Sequence, residues 1–346
     1  KSYNNLSVKI GSRSVADGQA MEYSLMNLHK DNEAFSELVA VAAETIGLPE
    51  IYVEKDYWIS KALKYLSESA YVNDVVFKGG TSLSKAYRLI DRFSEDIDLA
   101  VFSEGKGDSV RKTLLKHIES TVTQNLVYLK GDIRESKGSK FRKTVYQYPR
   151  SIHGTDFGQA SSELLVEVNA FTQPEPFEPR VLRTLIAEVL AAKGQNELIN
   201  KFGLQDFTIN VLSVRRTLVE KMLGIIKDSY HDDPVAKLSN RIRHLYDICL
   251  ILREDEFKRF IYSDDFSSLC QQCIGDEKAG AFGGADYLAA PLVEAPLFSQ
   301  FEHWRASLEI TYKGTFSDLV YGDLPTMDEI ADTLLLLKGS LEAGDC

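Results

Sequence analysis

The sequence predicts an α+β fold, in which a small mixed β-sheet with flanking helices is followed by a mainly α-helical C-terminal lobe. Short apolar strands alternate with helical stretches up to about residue 171. Beyond about residue 180 the periodicity is almost entirely helical. Between these parts, residues 173–179 contain three prolines in seven residues, which is typical of a linker. We therefore expect two domains, residues 1–172 and residues 180–346.

The composition narrows the class of protein. A chain of 346 residues with 44% hydrophobic residues is long enough for two domains with cores of their own. It has no run of 18 apolar residues and no apolar signal-peptide core at its start, so neither a membrane span nor secretion is indicated. The four cysteines do not form a disulfide framework, and a cytoplasmic location fits. A net charge of −11 argues against indiscriminate nucleic-acid binding.

The individual elements follow from periodicity and from the Gly and Pro residues that interrupt it. Residues 1–30 lack sustained periodicity, and the Gly-rich residues 279–287 are interpreted as a connection. The predicted helices are 33–46, 53–66, 81–90, 109–123, 180–193, 214–228, 241–252 and 327–341. The predicted strands are 75–77, 96–101, 126–129, 143–148, 162–171 and 207–212.

One stretch, residues 77–101, carries the chemistry. Apolar residues followed by Gly79 and Gly80 predict a strand that ends in a tight turn, with Thr81 or Ser82 capping the next helix. Glycine lets backbone N–H groups approach an anion closely, and a helix N-terminus adds unsatisfied donors. The sequence therefore predicts a phosphate-binding turn, although a Gly-Gly pair alone is usually only a turn.

Two carboxylates follow this turn. Asp96 and Asp98 alternate with Ile97 and Leu99, so on a strand both carboxylates point to the same side. A lone Asp-x-Asp is most often a solvated strand edge. Next to a phosphate-binding turn, however, two carboxylates are what a pair of divalent metals requires, because such cations take oxygen ligands and neutralise triphosphate charge. The combination indicates nucleotidyl transfer.

The order Gly-Gly, spacer, Asp-x-Asp resembles the nucleotidyltransferase superfamily of DNA polymerase β. The string KGGTSLSKAYRLIDRFSEDIDL, residues 78–99, resembles the AbiEii/AbiGii toxin family more closely. That family is the enzymatic half of bacterial abortive-infection and toxin–antitoxin pairs. The fifteen-residue spacer between Gly80 and Asp96 is longer than is usual in the superfamily. The string Glu54-Lys55-Asp56-Tyr57 also resembles the toxin family; by itself, such a triplet is typical of a solvated first helical turn.

The resemblance implies a ligand set. Asp96 and Asp98 would hold two Mg²⁺ (or Mn²⁺) ions, helped by Glu167, which interrupts the apolar strand 162–171. Structural pairing is the alternative role for Glu167, since an unpaired carboxylate is costly to bury. The β- and γ-phosphates of the NTP would be bound by the residues of the turn, Gly79, Gly80, Thr81 and Ser82.

Two further residues match the family downstream. The resemblance implies that Lys221 contacts the triphosphate and that Asp247 orients the acceptor or acts as a base. From the residues alone, Lys221 is a lysine at the margin of an apolar stripe, and Arg243 and Asp247 form an ordinary i,i+4 helical pair. Arg92 is either a phosphate contact or a partner for Glu95.

A basic segment runs through residues 130–150, with seven basic residues against two acidic ones. It either guides RNA or forms a solvated hairpin. The candidate phosphate or RNA contacts are Arg92, Arg243, Lys140, Arg142 and Lys143.

We therefore expect a toxin that transfers NMP to RNA, above all to the acceptor end of tRNA, and blocks translation in phage defence until a cognate antitoxin intervenes. The alternatives are an NMP-transferase that modifies a protein Ser, Thr or Tyr, a glycosyltransferase that uses Asp-x-Asp to hold a nucleotide sugar, and a catalytically silent binding module. A Cys-x-x-Cys pair, Cys270 and Cys273, lacks the second ligand pair that a zinc site needs.

Overall fold

The computed structural model describes residues 26–152, 161–171, 173–279 and 285–344. The chain enters through two helices, α1 (Asn32–Ile46) and α2 (Glu50–Ser67). The carboxylate of Asp31 caps α1 by accepting the Ala34 N–H, and Gly47 ends the helix in the left-handed conformation. Both helices match the prediction, but α2 begins three residues earlier than predicted. Most of the first 30 residues, for which the sequence gives no role, lie outside the described part.

One mixed sheet of eight strands organises the described residues. The strands are β1 (Val75–Lys78), β2 (Ile97–Val101), β3 (Val127–Tyr128), β4 (Ser136–Lys137), β5 (Phe141–Gln147), β6 (Leu164–Asn169), β7 (Phe177–Leu182) and β8 (Phe207–Leu212). Their order is β3-β5-β6-β2-β1-β8-β7, with β4 paired to β5. The pairs β2–β6 and β1–β8 are parallel and the others are antiparallel. The predicted mixed sheet is confirmed and is wider than expected.

Short helices connect the strands. The glycine turn opens α3 (Gly79–Ser82), which continues as a π-helical turn, Leu83–Tyr87. The predicted helix therefore stops at Tyr87, because Arg88 adopts a left-handed conformation. The other helices of this half are α4 (Asp108–Val122), α5 (Leu185–Ala192) and α6 (Asn196–Lys201).

The C-terminal part is helical, as predicted. Its helices are α7 (Val214–Ser229), α8 (Pro234–Asn240), α9 (Ile242–Arg253), α10 (Asp255–Phe260), α11 (Asp264–Lys278), α12 (Pro296–Thr311) and α13 (Met327–Ala343). Most of the Gly-rich connection at 279–287 lies outside the described residues. A bridge between Arg92 and Val320 ties this lobe to the segment before β2. In the part of the chain that the structure describes, no helix is both long and apolar enough to cross a bilayer.

The interpretation of residues 173–179 as a linker needs correction, because Phe177 and Pro179 belong to β7. This strand pairs with β8 from Phe177 to Leu182, and the helix predicted from residue 180 begins only at Leu185. A proline is tolerated here because β7 is the outermost strand of the sheet. The division into two domains stays a prediction, and the sheet takes strands from both sides of the proposed boundary.

Candidate active site

Four charged residues lie side by side across four neighbouring strands of the sheet. We call them the charged row: Lys78 on β1, Asp98 on β2, Glu167 on β6 and Lys143 on β5. Their register pairs are Lys78 with Asp98, Asp98 with Glu167, and Glu167 with Lys143. Because directly paired residues point to the same side of a sheet, these four side chains share one face. All four are partly exposed, so the row is open to a ligand.

The glycine turn closes on this row. Gly79 has a φ of +84°, and a Cβ at this position would lie 2.2 Å from Oδ2 of Asp98. A Cβ on Gly80 would lie 2.5 Å from Nη2 of Arg92. Any side chain at either position would displace a charged group, so the close approach of the turn to Asp98 requires glycine. The glycine turn and the carboxylate of Asp98 are thereby brought into direct contact.

The carboxylates of the row lie close to each other and have raised pKa values. Burial, and then the neighbouring Glu167 and Asp96, raise the pKa of Asp98 well above its usual range. Burial also raises the pKa of Glu167, although Lys143 and Lys78 oppose the shift. Asp96 lies one residue before β2. Carboxylates that share a site in this way favour a bound proton or cation.

These residues suit a divalent ion that shares its ligands with a nucleotide. Within the described ranges, no group of three or more His, Cys, Asp or Glu side chains is arranged to hold an ion. Asp98 and Glu167 nevertheless provide two adjacent carboxylates, with Asp96 beside them. Mg²⁺ is commonly held by one or two carboxylates, with phosphates and water completing the shell. The carboxylates therefore fit a metal that arrives with a triphosphate.

The hydroxyl groups of the turn point inward. Thr81 Oγ1 donates to the carbonyl of Asp96 at 2.6 Å and lies 2.9 Å from Ser94 Oγ. Ser82 Oγ donates to the carbonyl of Gly79 at 2.8 Å. Both side chains are buried. Thr81 holds the turn against the start of β2, and Ser82 closes the turn on itself. Phosphate contacts from Thr81 or Ser82 would therefore come from backbone N–H groups.

A second charged cluster lies in the interior, and we call it the ion triad: Arg92, Asp247 and Lys221. Arg92 donates to both oxygens of Asp247, from Nε at 2.7 Å and Nη2 at 2.8 Å. Lys221 Nζ lies 2.8 Å from Oδ2 of the same carboxylate. Although burial alone would raise it, the pKa of Asp247 is held below its usual range by Arg92 and Lys221. Burial lowers the pKa of Lys221, while Asp247 opposes the shift.

The ion pairs of Arg92 and Arg243 differ from those that the sequence predicts. Arg92 pairs with Asp247, so the expected alternative, a pair with Glu95, is wrong. Arg243 makes no ion pair within the described residues, so its predicted i,i+4 pair with Asp247 does not form. Asp247 is fully buried and bonded on both oxygens, which makes it a poor general base and a good anchor for two cations.

Two residues that the sequence does not predict as site residues, Lys78 and Glu220, also reach the site. Lys78 binds Glu220 at 2.6 Å, and Glu220 in turn accepts from Arg216 at 3.1 Å. Although burial opposes it, Glu220 raises the pKa of Lys78, which stays charged beside Asp98. Helix α7 thus provides adjacent residues to both clusters: Glu220 is the partner of Lys78 in the charged row, and Lys221 belongs to the ion triad. The only sequence signal for Glu220 is its position next to Lys221.

The triplet Glu54-Lys55-Asp56 is buried, which corrects its interpretation as a solvated first turn. Because α2 begins at Glu50, the triplet lies inside the helix. Lys55 binds Glu95, the residue directly before Asp96, at 2.5 Å. Asp56 pairs with Lys85 in the π-helical turn after α3. The triplet therefore holds the segments on both sides of the glycine turn and the Asp-x-Asp strand.

The basic segment at 130–150 is partly neutralised. Arg142 pairs with the buried Glu119, Arg134 with Asp132, and Lys137 with Glu135. Within the described residues, no ion pair is made by Lys130, Lys140 or Lys143. The segment thus offers fewer free cations to an RNA than its composition indicates, and Arg142 has a structural partner.

A glycine turn against a row of carboxylates on a mixed sheet is chemically suited to metal-assisted nucleotidyl transfer. A family model described as nucleotidyl transferase AbiEii toxin of type IV toxin–antitoxin systems matches residues 61–333. The chain belongs to this family and is a nucleotidyltransferase toxin, which implies an antitoxin as its partner. All residues of the charged row and the ion triad lie within the matched range.

Among solved structures, the chain is similar to MenT4, a nucleotidyltransferase toxin from Mycobacterium tuberculosis H37Rv. The two are 16% identical, with a TM-score of 0.48 over 86% of this chain and 98% of that chain. No curated protein matches the sequence significantly.

Proposed function

We propose that this toxin transfers NMP from an NTP to a hydroxyl group of RNA, at the acceptor end of tRNA, with Mg²⁺ or Mn²⁺ as cofactor. The contact between Gly79 and Asp98 carries the proposal, because a glycine turn that lies directly against carboxylates could bind phosphates next to a metal. The modified tRNA would no longer support translation. Such an arrest suits phage defence, and a cognate antitoxin protein would limit it.

Each group has a role that follows from its position. The N–H groups of Gly79 and Gly80 would bind the β- and γ-phosphates. Asp98 and Glu167, with Asp96, would hold the metal, which when bound neutralises phosphate charge and stabilises the entering and leaving oxygens. The acceptor oxygen would attack the α-phosphorus in line while its proton passes to solvent. The new phosphodiester bond would replace the bond between the α- and β-phosphates, and pyrophosphate would leave.

The lysines around the carboxylates would complete the site. Lys78 and Lys143 flank the carboxylates on either side of the row. Lys221 lies close enough to Asp98 for each to affect the other's pKa. Asp247 would then be a positioning residue, because it fixes Lys221 and Arg92 behind the turn.

RNA as the acceptor is supported by charge next to the site. Lys143 lies beside Glu167, and Lys140 is exposed at the start of the same hairpin region. Cations that make no ion pair are available to backbone phosphates, whereas the net charge of −11 opposes binding elsewhere on the surface. RNA would therefore be drawn to this edge of the sheet.

The test is incubation of the protein with total tRNA, Mg²⁺ and each α-labelled NTP in turn. We expect one or more NTPs to label tRNA with the wild type and not with Asp98→Asn. Asp108→Asn, which changes an exposed aspartate on α4, is the matched control and should label normally. Label on a lysate protein instead of tRNA would establish the protein-modifying alternative. No transfer to either acceptor would overturn the proposal.

A further inference from the structure

A cavity of about 220 Å³ lies beside the glycine turn, and we call it the turn cavity. None of the four residues of the charged row lines it. Its wall includes Arg92 and Ser94, whose polar atoms lie 2.5 and 3.0 Å from the Cβ position of Gly80. One layer of side chains therefore separates the cavity from the turn that would hold the phosphates.

The cations around the cavity are already paired. Lys85 pairs with Asp56, and Arg88 binds Glu188 at 2.6 Å. Arg92 is saturated by Asp247 in the ion triad. A polyphosphate would have to compete with these carboxylates, so the cavity is unsuited to an anion. It suits a neutral ligand with polar edges.

One wall residue keeps a free acceptor. Asp91 is exposed and makes no ion pair within the described residues. Its backbone is fixed from the C-terminal lobe, because Tyr321 N–H donates to the Asp91 carbonyl at 2.9 Å. Gly322 lies against its side chain, since a Cβ on Gly322 would lie 2.3 Å from Asp91 Cβ and 2.6 Å from Asp91 Oδ2. A carboxylate without an ion pair can accept hydrogen bonds from an amino group.

An aromatic ring and an arginine also line the cavity. Tyr321 is 43% exposed although its backbone is held. Burial, and then Asp91, raise the pKa of Tyr321 to about 12, so its ring is neutral at physiological pH. Arg88 is held in a left-handed conformation with its side chain 64% exposed. Aromatic and guanidinium planes are the surfaces on which single-stranded bases stack.

We propose that the turn cavity binds a nucleobase, with the base stacked on Tyr321 and its exocyclic amino group bonded to Asp91. The volume of the turn cavity is consistent with a bound base, because a cavity of about 150 Å³ admits benzene. A space of about 220 Å³ therefore holds one aromatic heterocycle but not a whole nucleotide. Adenine, cytosine and guanine carry an exocyclic amino group and uracil does not, so uracil is disfavoured.

The proposal deepens the proposed function and rests on it for the origin of the base. The base belongs either to the incoming NTP or to the last nucleotide of the RNA acceptor. The base of an NTP is joined to phosphates, and the base of the last RNA nucleotide is joined to a ribose hydroxyl. Either group must reach the neighbouring centre. The assignment of the cavity itself does not depend on catalysis.

The first experiment measures binding of free adenosine, cytidine, guanosine and uridine to the full chain without metal, by NMR titration. We expect uridine to bind at least threefold more weakly than cytidine. Tyr321→Ala should weaken cytidine binding by roughly 5- to 100-fold, as loss of one stacked base would. Tyr321→Phe keeps the ring and should bind within about twofold of the wild type. Tyr262→Ala, which removes a 53% exposed tyrosine elsewhere in the C-terminal lobe, is the control and should change nothing.

A second variant keeps the shape of the cavity. Asp91→Asn is isosteric and should reduce the preference for cytidine over uridine to less than twofold. The proposal is overturned if the wild type binds no nucleoside at millimolar concentration. It is also overturned if Tyr321→Ala and Asp91→Asn both bind all four nucleosides as the wild type does.

Transfer kinetics then identify the source of the base. A raised KM for the NTP in Tyr321→Ala, with an unchanged KM for RNA, assigns the cavity to the donor nucleotide; the converse assigns it to the acceptor. If the wild type binds nucleosides as predicted but transfers no NMP, the cavity stands and the proposed function fails.

Discussion

The charged row and the ion triad use the same residue types in opposite ways. In the row, the adjacent carboxylates of Asp98 and Glu167 are partly exposed and have raised pKa values. In the triad, the single carboxylate of Asp247 is buried, contacts two cations and has a lowered pKa. Adjacent carboxylates that are open to solvent favour a bound cation, whereas a buried carboxylate matched by two cations favours a structural role. We therefore expect the row to bind a ligand and the triad to position the residues around it.

Helix α7 joins the two clusters. Glu220 holds Lys78 of the row, and the next residue, Lys221, belongs to the triad. A shift of this helix would move a partner in each cluster at once. The comparison can be sharpened by substitutions that affect only one of them.

The largest expected effect is on activity in Asp98→Asn. Loss of a carboxylate that would hold the metal should lower NMP transfer by at least ~10³-fold, or about 4 kcal/mol of transition-state stabilisation. Denaturant unfolding of the same variant should show no loss of stability, because the substitution relieves repulsion with Glu167. A variant that loses activity only because it unfolds would refute the binding role of the row.

In the ion triad, the largest expected effect is on stability. Asp247→Ala leaves Arg92 and Lys221 buried without their counter-ion, which should cost about 3–5 kcal/mol in urea unfolding. A cost below about 1 kcal/mol would mean that the triad is not a buried cluster. Asp108→Asn, in an exposed pair with Arg111, should change stability by under about 0.5 kcal/mol.

The stability difference between the wild type and Asp247→Ala should also depend on pH. Because the pKa of Asp247 is lowered on folding, its stabilising contribution is present above the unfolded pKa of about 3.9. The contribution is lost as the pH falls below that value towards the folded pKa. The stability difference between wild type and Asp247→Ala should thus be constant from pH 8 to about pH 5 and narrow below about pH 4, as measured by urea unfolding.

A smaller effect is expected from Gly79→Ala. The new Cβ would collide with Asp98, and the residue would adopt an unfavourable positive φ, at a cost of about 1–2 kcal/mol in stability. Activity should fall by about 10²-fold because the turn moves away from the row. The matched control is Gly47→Ala, which has a φ of +80° and nothing within 4 Å of its Cβ. It should lose similar stability and retain full activity; equal activity losses in both variants would contradict the account.

The smallest expected effect is on RNA binding in Lys140→Ala. Lys140→Ala should raise the KM for tRNA about two- to threefold and reduce the salt dependence of binding by about one phosphate contact. Arg142→Ala removes the partner of the buried Glu119, so it should lower stability by about 1–3 kcal/mol. If Lys140→Ala left both the KM and the salt dependence unchanged, the hairpin would not contact RNA.

The sequence predicts the local parts of this site and not its long-range pairs. The alternation around Asp98 and Glu167 places each carboxylate on a strand face, and the glycines mark the turn, since both depend only on nearby residues. Lys78 meets Glu220 across 142 positions, which no local pattern encodes. Arg92 likewise meets Asp247 across 155 positions, whereas the sequence suggests only a phosphate contact or the nearby Glu95 as its partner.

Burial was the hardest property to predict. Lys55 is fully buried because its partner Glu95 arrives from another element, whereas a charged residue near a helix start is usually solvated. The prolines near Pro179 obscured β7 for a similar reason, since only the position of a strand at the sheet edge makes proline acceptable. Both errors arise where tertiary packing overrides a local preference.

The most direct test of the binding role of the charged row is a calorimetric titration of Mn²⁺ with a non-reactive NTP analogue whose α–β bridging oxygen is replaced by methylene. Wild type and the folded variants Asp98→Asn and Gly47→Ala would be compared. We predict that Asp98→Asn binds the metal–nucleotide pair at least tenfold more weakly, whereas Gly47→Ala binds it as the wild type does. Equal affinity in the wild type and Asp98→Asn would contradict the account, because the carboxylate row would then not hold the metal.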